Sequence, residues 1–375
     1  MNQSEDPSIC EASSQFWHLG DVLKWVSINI VLPLFIVIAG ASHVVCYRAF
    51  IQQAKSENAY MYQLYQTVLE AASLFTYAAA MLVYQWSGMN SIERGSFDGL
   101  KWYQSSYILM AFAAHVAIPL CNGASVASLL LSMSMAVDRV FAFVKPFVYK
   151  NINHRRHQLT ALVASLVIGI SVTFYNVFLF DVTSVDGTYI LAINAPYLMT
   201  KLATGLAYTC NATRIAGLFA LIGCNLSLVY LYKQRLSKVT PITNGASSEA
   251  RREARRRSTE KTLIMLTLNQ SIFTGINMFS SATFFTLLYT VPTFGTCGHV
   301  VSPIVDIVTI VCDTANTCAA AWLNKKTRNI VRSWAQLFTK SKLVEQVHPK
   351  HSNVNMTNSV NARTASVQCA NAVDP

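Results

Sequence analysis

Seven stretches of the chain are each long and apolar enough to cross a bilayer as a helix, and this constrains the fold more than any other feature. They run roughly over residues 25–47, 62–86, 107–141, 159–180, 209–232, 263–289 and 300–323. A hydrocarbon core about 30 Å thick needs about 20 apolar residues at a rise of about 1.5 Å each. Only 13% of the residues are charged, against about 25% in soluble domains, and those charges crowd between the stretches. The expected fold is therefore an all-α membrane protein, a seven-transmembrane helix bundle spanning 25–323. Residues 1–24 form an N-terminal segment with acidic Glu5, Asp6, Glu11 and Asp21 and no signal-peptide pattern, so the first span is expected to serve as an uncleaved anchor. No repeat of 20–50 residues and no inverted repeat is visible.

The seven-span reading makes a charge prediction, because cytoplasmic loops carry the excess of Lys and Arg. With the N terminus outside, only five of the 29 basic residues (Lys24, Arg94, Lys101, Lys201 and Arg214) fall on the outer side, and the other 24 fall inside. The loop after the fifth span alone holds Arg235, Arg251, Arg252, Arg255, Arg256, Arg257 and Lys261. A six- or eight-helix count would put one large basic cluster outside. The net charge of +11 is thus divided among short segments next to the membrane. That pattern points to an anionic inner leaflet as partner and away from nucleic acid. The implied location is the plasma membrane, with multiple passes, an extracellular N terminus and a cytoplasmic C terminus.

The nine cysteines form no CxxC pair and no zinc spacing. Most fall inside spans as small apolar residues. Cys10, Cys210 and Cys297 lie at or near the outer side, where pairing is open. No metal set, phosphate loop or nucleophile–base constellation is present, so neither enzyme nor cofactor is expected.

The third span ends with Asp138 and Arg139 at its inner boundary. An ionisable pair at such a place is a functional hypothesis by default. Asp138 can hold Arg139 until a proton or a helix movement releases it. The plain alternative is a snorkelling pair at a helix end. The surrounding stretch, LSMSMAVDRVFAFVKPFVY over 131–149, closely resembles the third-helix signature of rhodopsin-like G-protein-coupled receptors at Asp138, Arg139, Ala142, Val144, Pro146 and Phe147, with Val140 in place of the usual Tyr. The resemblance implies that Arg139 contacts a heterotrimeric G protein and that Phe147, after Pro146, docks into it. It also implies that Glu260, at the start of the sixth span, clamps Arg139 at rest.

Other landmarks of that family are eroded. Asn316 stands at the Asn of the seventh-helix motif, with Thr317 for its Pro and Ala320 for its Tyr. Ser73 replaces the second-helix Asp. The sixth span lacks Trp-x-Pro, and no Cys lies 24 or 25 residues before Asp138. A strong third-helix motif with such departures looks most like the nematode serpentine chemoreceptor families. Cys121 stands where amine receptors hold an Asp, and the seventh span has no Lys before Lys325. The resemblance therefore points away from a biogenic amine or retinal and toward a small extracellular organic ligand or a short peptide.

Levelling the spans by axial rise gives a candidate ligand site. Cys121 lies 17 residues from Asp138, Asn277 lies 17 from Glu260, Asp306 lies 18 from Asn324 and Asn176 lies 19 from His157. All stand about 25–28 Å above the inner boundary. Cys121, Asn122, Asn176, Asn277 and Asp306 are the candidate ligand residues, Asp306 being the one acid. The plain alternative is a set of interhelical hydrogen bonds. Lower down, Ser73 and Asp313 share a level about 16 Å above the boundary. The resemblance implies a sodium ion at this height. The alternative is a protonated Asp313 bonded to Ser73 or Asn316.

Residues 324–342 alternate basic and apolar side chains, as in an amphipathic helix on the inner leaflet. Residues 343–375 read as a disordered cytoplasmic tail. Asn2-Gln3-Ser4 is a glycosylation sequon on the outer side. The competing function class is a seven-span transporter or channel whose path Glu70, Asp306 and Asp313 would line.

Overall fold

The computed structural model describes residues 19, 22–23, 25–55, 57–87, 106–185, 188–198, 200–237, 248–290, 294–333 and 336. The chain divides into two units, Met1–Ile330 and Val331–Pro375. The first is almost entirely helical. Its long helices are α1 (Leu32–Ala54), α2 (Met61–Ser87), α3 (Tyr107–Val144), α4 (His154–Thr173), α5 (Lys201–Ser237), α6 (Ser248–Thr290) and α7 (Phe294–Leu323). Residues 325–330 continue as helix beyond α7. In the second unit, 331–333 and 336 are helical. The sequon at Asn2, most of the N-terminal segment and the tail beyond 336 lie outside the described residues.

Among the described residues five helices are long and apolar enough to cross a membrane: Asn29–Ala54, Tyr107–Val144, His154–Phe178, Lys201–Arg235 and Pro303–Leu323. The sequence expectation of seven is met at that standard by five. Helices α2 and α6 are as long but carry polar stripes. On α2 the buried polar residues are Gln63, Gln66, Thr67, Glu70 and Ser73; on α6 they are Thr267, Gln270, Ser271, Thr274 and Asn277. These residues recur at three- and four-residue steps, so each helix presents one polar face to its neighbours. The outward faces are apolar: Val37 on α1, Phe219 and Leu226 on α5 and Phe279 on α6 are all more than 60% exposed. A polar interior with an apolar exterior is the pattern of a bundle solvated by lipid.

Helices α1, α2, α3, α5, α6 and α7 pack in a ring that closes α7 onto α1, and α4 lies against α3. Helix α3 also meets α6, so it touches four of its neighbours. Its contact with α4 is close because both helices offer glycine: a Cβ on Gly169 would lie 2.6 Å from the Gly123 carbonyl oxygen. Apolar clusters fill the seams. Tyr62, Leu69, Ala127, Leu131 and Met135 join α2 to α3, and Leu129, Ala136, Leu221 and Met278 join α3, α5 and α6.

Two π-helical turns interrupt regular geometry, at Ser27–Val31 and Ala113–Ala117. Each leads directly into a proline, Pro33 or Pro119. The proline ring offers no N–H and clashes with the carbonyl four residues earlier, so the preceding turn widens. At the end of α4, Phe174–Phe178 tightens into a 3-10 turn. The chain then forms an antiparallel hairpin, β1 (Phe180–Val185) with β2 (Thr188–Ile193), in the register Phe180↔Ile193 through Val185↔Thr188. Val182 and Tyr189 pack on Met110 and Ala113, so the hairpin sits on the start of α3, remote from Asp138. The sequence reading placed no strand here.

Candidate functional site

The ends of several helices meet around Asp138 and Arg139. Both residues are buried, with carboxylate and guanidinium 3.9 Å apart. Arg139 donates through Nη2 to the Ala59 carbonyl in the α1–α2 turn at 3.0 Å. Asp138 accepts a 2.8 Å hydrogen bond from the Tyr149 hydroxyl. Tyr149 belongs to a short helix, Pro146–Lys150, which the Lys145–Pro146 step sets off from α3. Burial pushes the Tyr149 phenol up from its ordinary value, with the Arg139 charge opposing, so it stays protonated and able to donate. Phe147 on the same short helix is 82% exposed, the most exposed of the large apolar side chains described.

Beside Arg139 lies a cleft of about 600 Å³, open to solvent, lined by Arg139, Phe143, Tyr149, Lys150, Arg235 and Glu260 among others. The expected Arg139–Glu260 clamp is not the pairing made. Glu260 on α6 pairs with Arg235 on α5 at 3.4 Å, and Arg235 also lies over the Phe143 ring at 5.5 Å. The physical reason is competition: Arg235 offers Glu260 a nearer cation, while Arg139 is drawn across α3 to Asp138 and the Ala59 carbonyl. At the same end, Gln53 on α1 and Asn324 after α7 exchange two amide hydrogen bonds of 2.6 and 3.1 Å.

Further along the bundle a second polar cluster joins α2, α3, α6 and α7. Glu70 Oε1 accepts from Gln66 Nε2 at 3.2 Å, from Asn316 Nδ2 at 2.8 Å and from Gln270 Nε2. Gln270 Oε1 accepts from Asn316 at 2.7 Å, and Gln66 also donates to Ser128 on α3. Asn269 donates to the Asn316 side-chain oxygen at 2.8 Å. Asn316, the Asn of the seventh-helix motif, lies inside this cluster. Above it Ser73 pairs with Ser125 at 3.2 Å, and Asp313 accepts from Asn277 at 3.3 Å. Asp313 therefore bonds neither Ser73 nor Asn316, although Asp313 and Ser73 line one small void, with room for no more than about one water, together with Glu70, Ser125, Ser128 and Asn277. Among the described residues no group of three or more His, Cys, Asp or Glu could hold a metal ion.

Four of the five candidate ligand residues make hydrogen bonds within the bundle. Asp306 on α7 accepts from the Tyr77 hydroxyl on α2 at 2.6 Å. Asn122 on α3 accepts from Arg214 on α5 at 3.4 Å. Asn277 accepts from Thr309 at 2.9 Å and donates to Asp313, which ties it to the cluster below. Asn176 is buried and donates to the Thr173 carbonyl of its own helix, closing the 3-10 turn. Cys121 is buried and, like Cys210, a free thiol. The Cys10 and Cys297 side chains lie outside the described residues. The levels inferred from axial rise bring Asp306 and Asn122 to interhelical contacts, as the plain alternative expects.

Sequence reasoning gave no site role to Tyr149, Arg235, Gln270 or Arg214, and named Glu70 only as a channel lining. The signal for Glu70 and Gln270 was the polar spacing along α2 and α6. Arg214, one of the five outer-side cations, is only 4% exposed within α5. No protein-family model matches the chain, and no curated protein is significantly similar to it.

Proposed function

We propose that the chain is a G-protein-coupled chemoreceptor, a seven-span bundle that binds a small extracellular ligand and acts on a heterotrimeric G protein at the Asp138 end of its helices. The observation that carries this reading is the geometry at the foot of α3. Arg139 is buried but held by bonds that a helix movement can exchange: a 3.9 Å ion pair, one backbone carbonyl, and an Asp138 already engaged by Tyr149. It borders an open cleft fringed by Lys150, Arg235 and Glu260. The exposed Phe147 stands on the short helix beside it. An arginine released from Asp138 would reach a partner's backbone carbonyls from such a cleft, and Phe147 would supply an apolar anchor.

The asymmetry of basic residues supports placing this end in the cytoplasm of a plasma-membrane protein. The opposite half, with Tyr77–Asp306 and Asn122–Arg214, then faces outward and is the proposed ligand side. Arg214 there favours a ligand with a hydrogen-bond acceptor or an acid group.

The test is nucleotide exchange on a panel of G proteins, driven by a library of small odorants, with the full-length chain in lipid vesicles. Ligand-driven exchange that Arg139→Ala abolishes supports the reading. Surface-expressed protein that drives no exchange with any ligand, while passing a solute, would replace it with the transporter reading. That second reading draws support from one observation, the small void between Glu70 and Asp313.

A further inference from the structure

In the centre of the bundle one carboxylate oxygen serves three helices. Glu70 Oε1 on α2 accepts amide hydrogens from Gln66 on its own helix, Gln270 on α6 and Asn316 on α7. Gln270 uses both ends of its amide. Its Nε2 donates to Glu70, and its Oε1 accepts from Asn316 at 2.7 Å. The whole group is buried: Glu70 is 8% exposed, and Gln66, Gln270 and Asn316 are 3% or less. Hydrogen bonds are electrostatically stronger away from water than at a surface. A buried carboxylate that loses a donor has no solvent to replace it.

The position of Gln270 gives this cluster leverage. It lies ten residues from Glu260, about 15 Å along α6 from the Asp138-end cleft. An outward swing of that end of α6 would pull Gln270 from both Glu70 and Asn316 together. The neighbouring Asn269 would lose its bond to Asn316 in the same movement, while α2 and α7 keep their own Asn316–Glu70 bond, so the loss falls on the bonds of α6, and among these only Gln270 reaches both α2 and α7.

We infer that Gln270, held between Glu70 and Asn316, is the latch that keeps α6 closed against α2 and α7, and that breaking it opens the Asp138-end cleft. Gln270 and Glu70 are positioning residues in this role. The inference deepens the receptor reading and rests on it only for what the opening serves.

The experiment measures α6 directly. Spin-labelled unnatural amino acids are placed at Lys55 and Lys261, both exposed, in the full chain in lipid nanodiscs, and pulsed electron resonance gives the distance distribution between them. Gln270→Leu should move population to longer distances, raising the open fraction by about tenfold. Glu70→Gln, which keeps the shape but turns one acceptor oxygen into an amide donor, should move it in the same direction by less. Thr267→Val on the same helix deletes a buried hydroxyl that bonds only the Leu263 carbonyl of α6 in the structure, and should leave the distribution in place. A wild-type distribution in Gln270→Leu overturns the latch. So does a shift in Thr267→Val as large as in Gln270→Leu, because the effect would then be general loosening. If Gln270→Leu fails to fold, Gln270→Asn, one methylene too short to bridge both partners, carries the same expectation. No ligand or G protein enters this measurement. Failed nucleotide exchange would therefore sink the receptor reading and leave the latch standing, and an unmoved α6 would do the reverse.

Discussion

Replacing Gly169 by alanine tests the packing at the centre of the bundle. The added methyl carbon would lie 2.6 Å from the Gly123 carbonyl oxygen and 3.0 Å from the Ala127 amide nitrogen. Carbon–oxygen contacts normally stand at about 3.3 Å or more, so α3 and α4 would have to part by roughly 0.7 Å. Both obstructing atoms are backbone, and no rotamer change can move them. Overpacking of this kind costs about 1–3 kcal/mol. In an open helical site the same substitution stabilises by up to about 1 kcal/mol. Gly205 and Gly223 on α5 are such sites, with nothing within 4 Å of an added Cβ. Gly217 stands between: its methyl would meet Leu129 Cδ2 at 2.9 Å, a side-chain tip that can turn away. Thermal unfolding in lipid nanodiscs should therefore rank Gly205→Ala and Gly223→Ala highest, Gly217→Ala next and Gly169→Ala lowest. The two effects add to about 1–4 kcal/mol between Gly169→Ala and the open-site variants, and at about 2–4 °C per kcal/mol for a domain of a few hundred residues the gap is roughly 2–16 °C. Gly169→Ala melting together with Gly205→Ala would refute the close approach of α3 and α4.

Four further outcomes are expected. Tyr149→Phe removes the hydroxyl that donates to Asp138, and because Tyr149 is half-buried the loss is worth about 1 kcal/mol, so ligand-free nucleotide exchange should rise about fivefold; unchanged exchange at equal surface expression would count against Tyr149 as a restraint on Asp138. Arg235→Gln and Glu260→Gln should each raise ligand-free exchange by less than about fivefold, since the pair is partly exposed, and the double variant should match the larger single one; additive effects would mean that the two charges act separately. Tyr77→Phe and Asp306→Asn should be non-additive in thermal stability by about 1–2 kcal/mol, and strict additivity would remove the 2.6 Å contact as a tie between α2 and α7. Asn2→Gln should abolish an endoglycosidase-sensitive mobility shift on gels, whereas a glycan that persists in Asn2→Gln and disappears when Asn355 is changed would invert the topology.

How much of this could be read in advance depended on whether the signal lay in one helix or between two. Apolar length is a property of a single segment, and it gave the long helices, of which five among the described residues are apolar enough to cross a membrane. The Asp138–Arg139 step was legible for the same reason: both charges sit on one short stretch. Partner choice was not legible. The sequence offered Arg139 and Glu260 as a pair, but Arg235 on another helix lies closer to Glu260, and no spacing rule ranks cations across helices. The hairpin does carry a sequence signal, Asp186-Gly187 between two runs of β-branched and aromatic residues. Axial rise put Asn277 level with Asp306, but its bonds to Asp313 and Thr309 set it lower, because the inner ends of α6 and α7 used as reference points are not at one height; azimuth was not legible at all. The contacts of Asp306 with Tyr77 and of Asn277 with Thr309 follow from helix rotation, which a single sequence does not carry.

Helix rotation in lipid also has a physical source that the polar residues identify. Between two helices in hydrocarbon there is no gain from removing apolar surface, because lipid is as apolar as leucine. What sets which face of α2 or α6 turns inward is where its polar side chains find partners. On α2, Gln63, Gln66, Glu70 and Ser73 fall on one stripe, and all of them are buried. On α6, Gln270, Thr274 and Asn277 do the same. Turning α6 by a quarter of its circumference would point Gln270 and Asn277 away from Glu70 and Asp313 and toward lipid, where an unmet amide costs several kcal/mol. The residues that keep α2 and α6 below the apolarity of a simple span are thus the ones that orient them. A polar core that orients a helix through a few exchangeable bonds can also let it go when those bonds are exchanged, and for that reason the Glu70 cluster, more than the apolar seams, is where a moving α6 would be controlled.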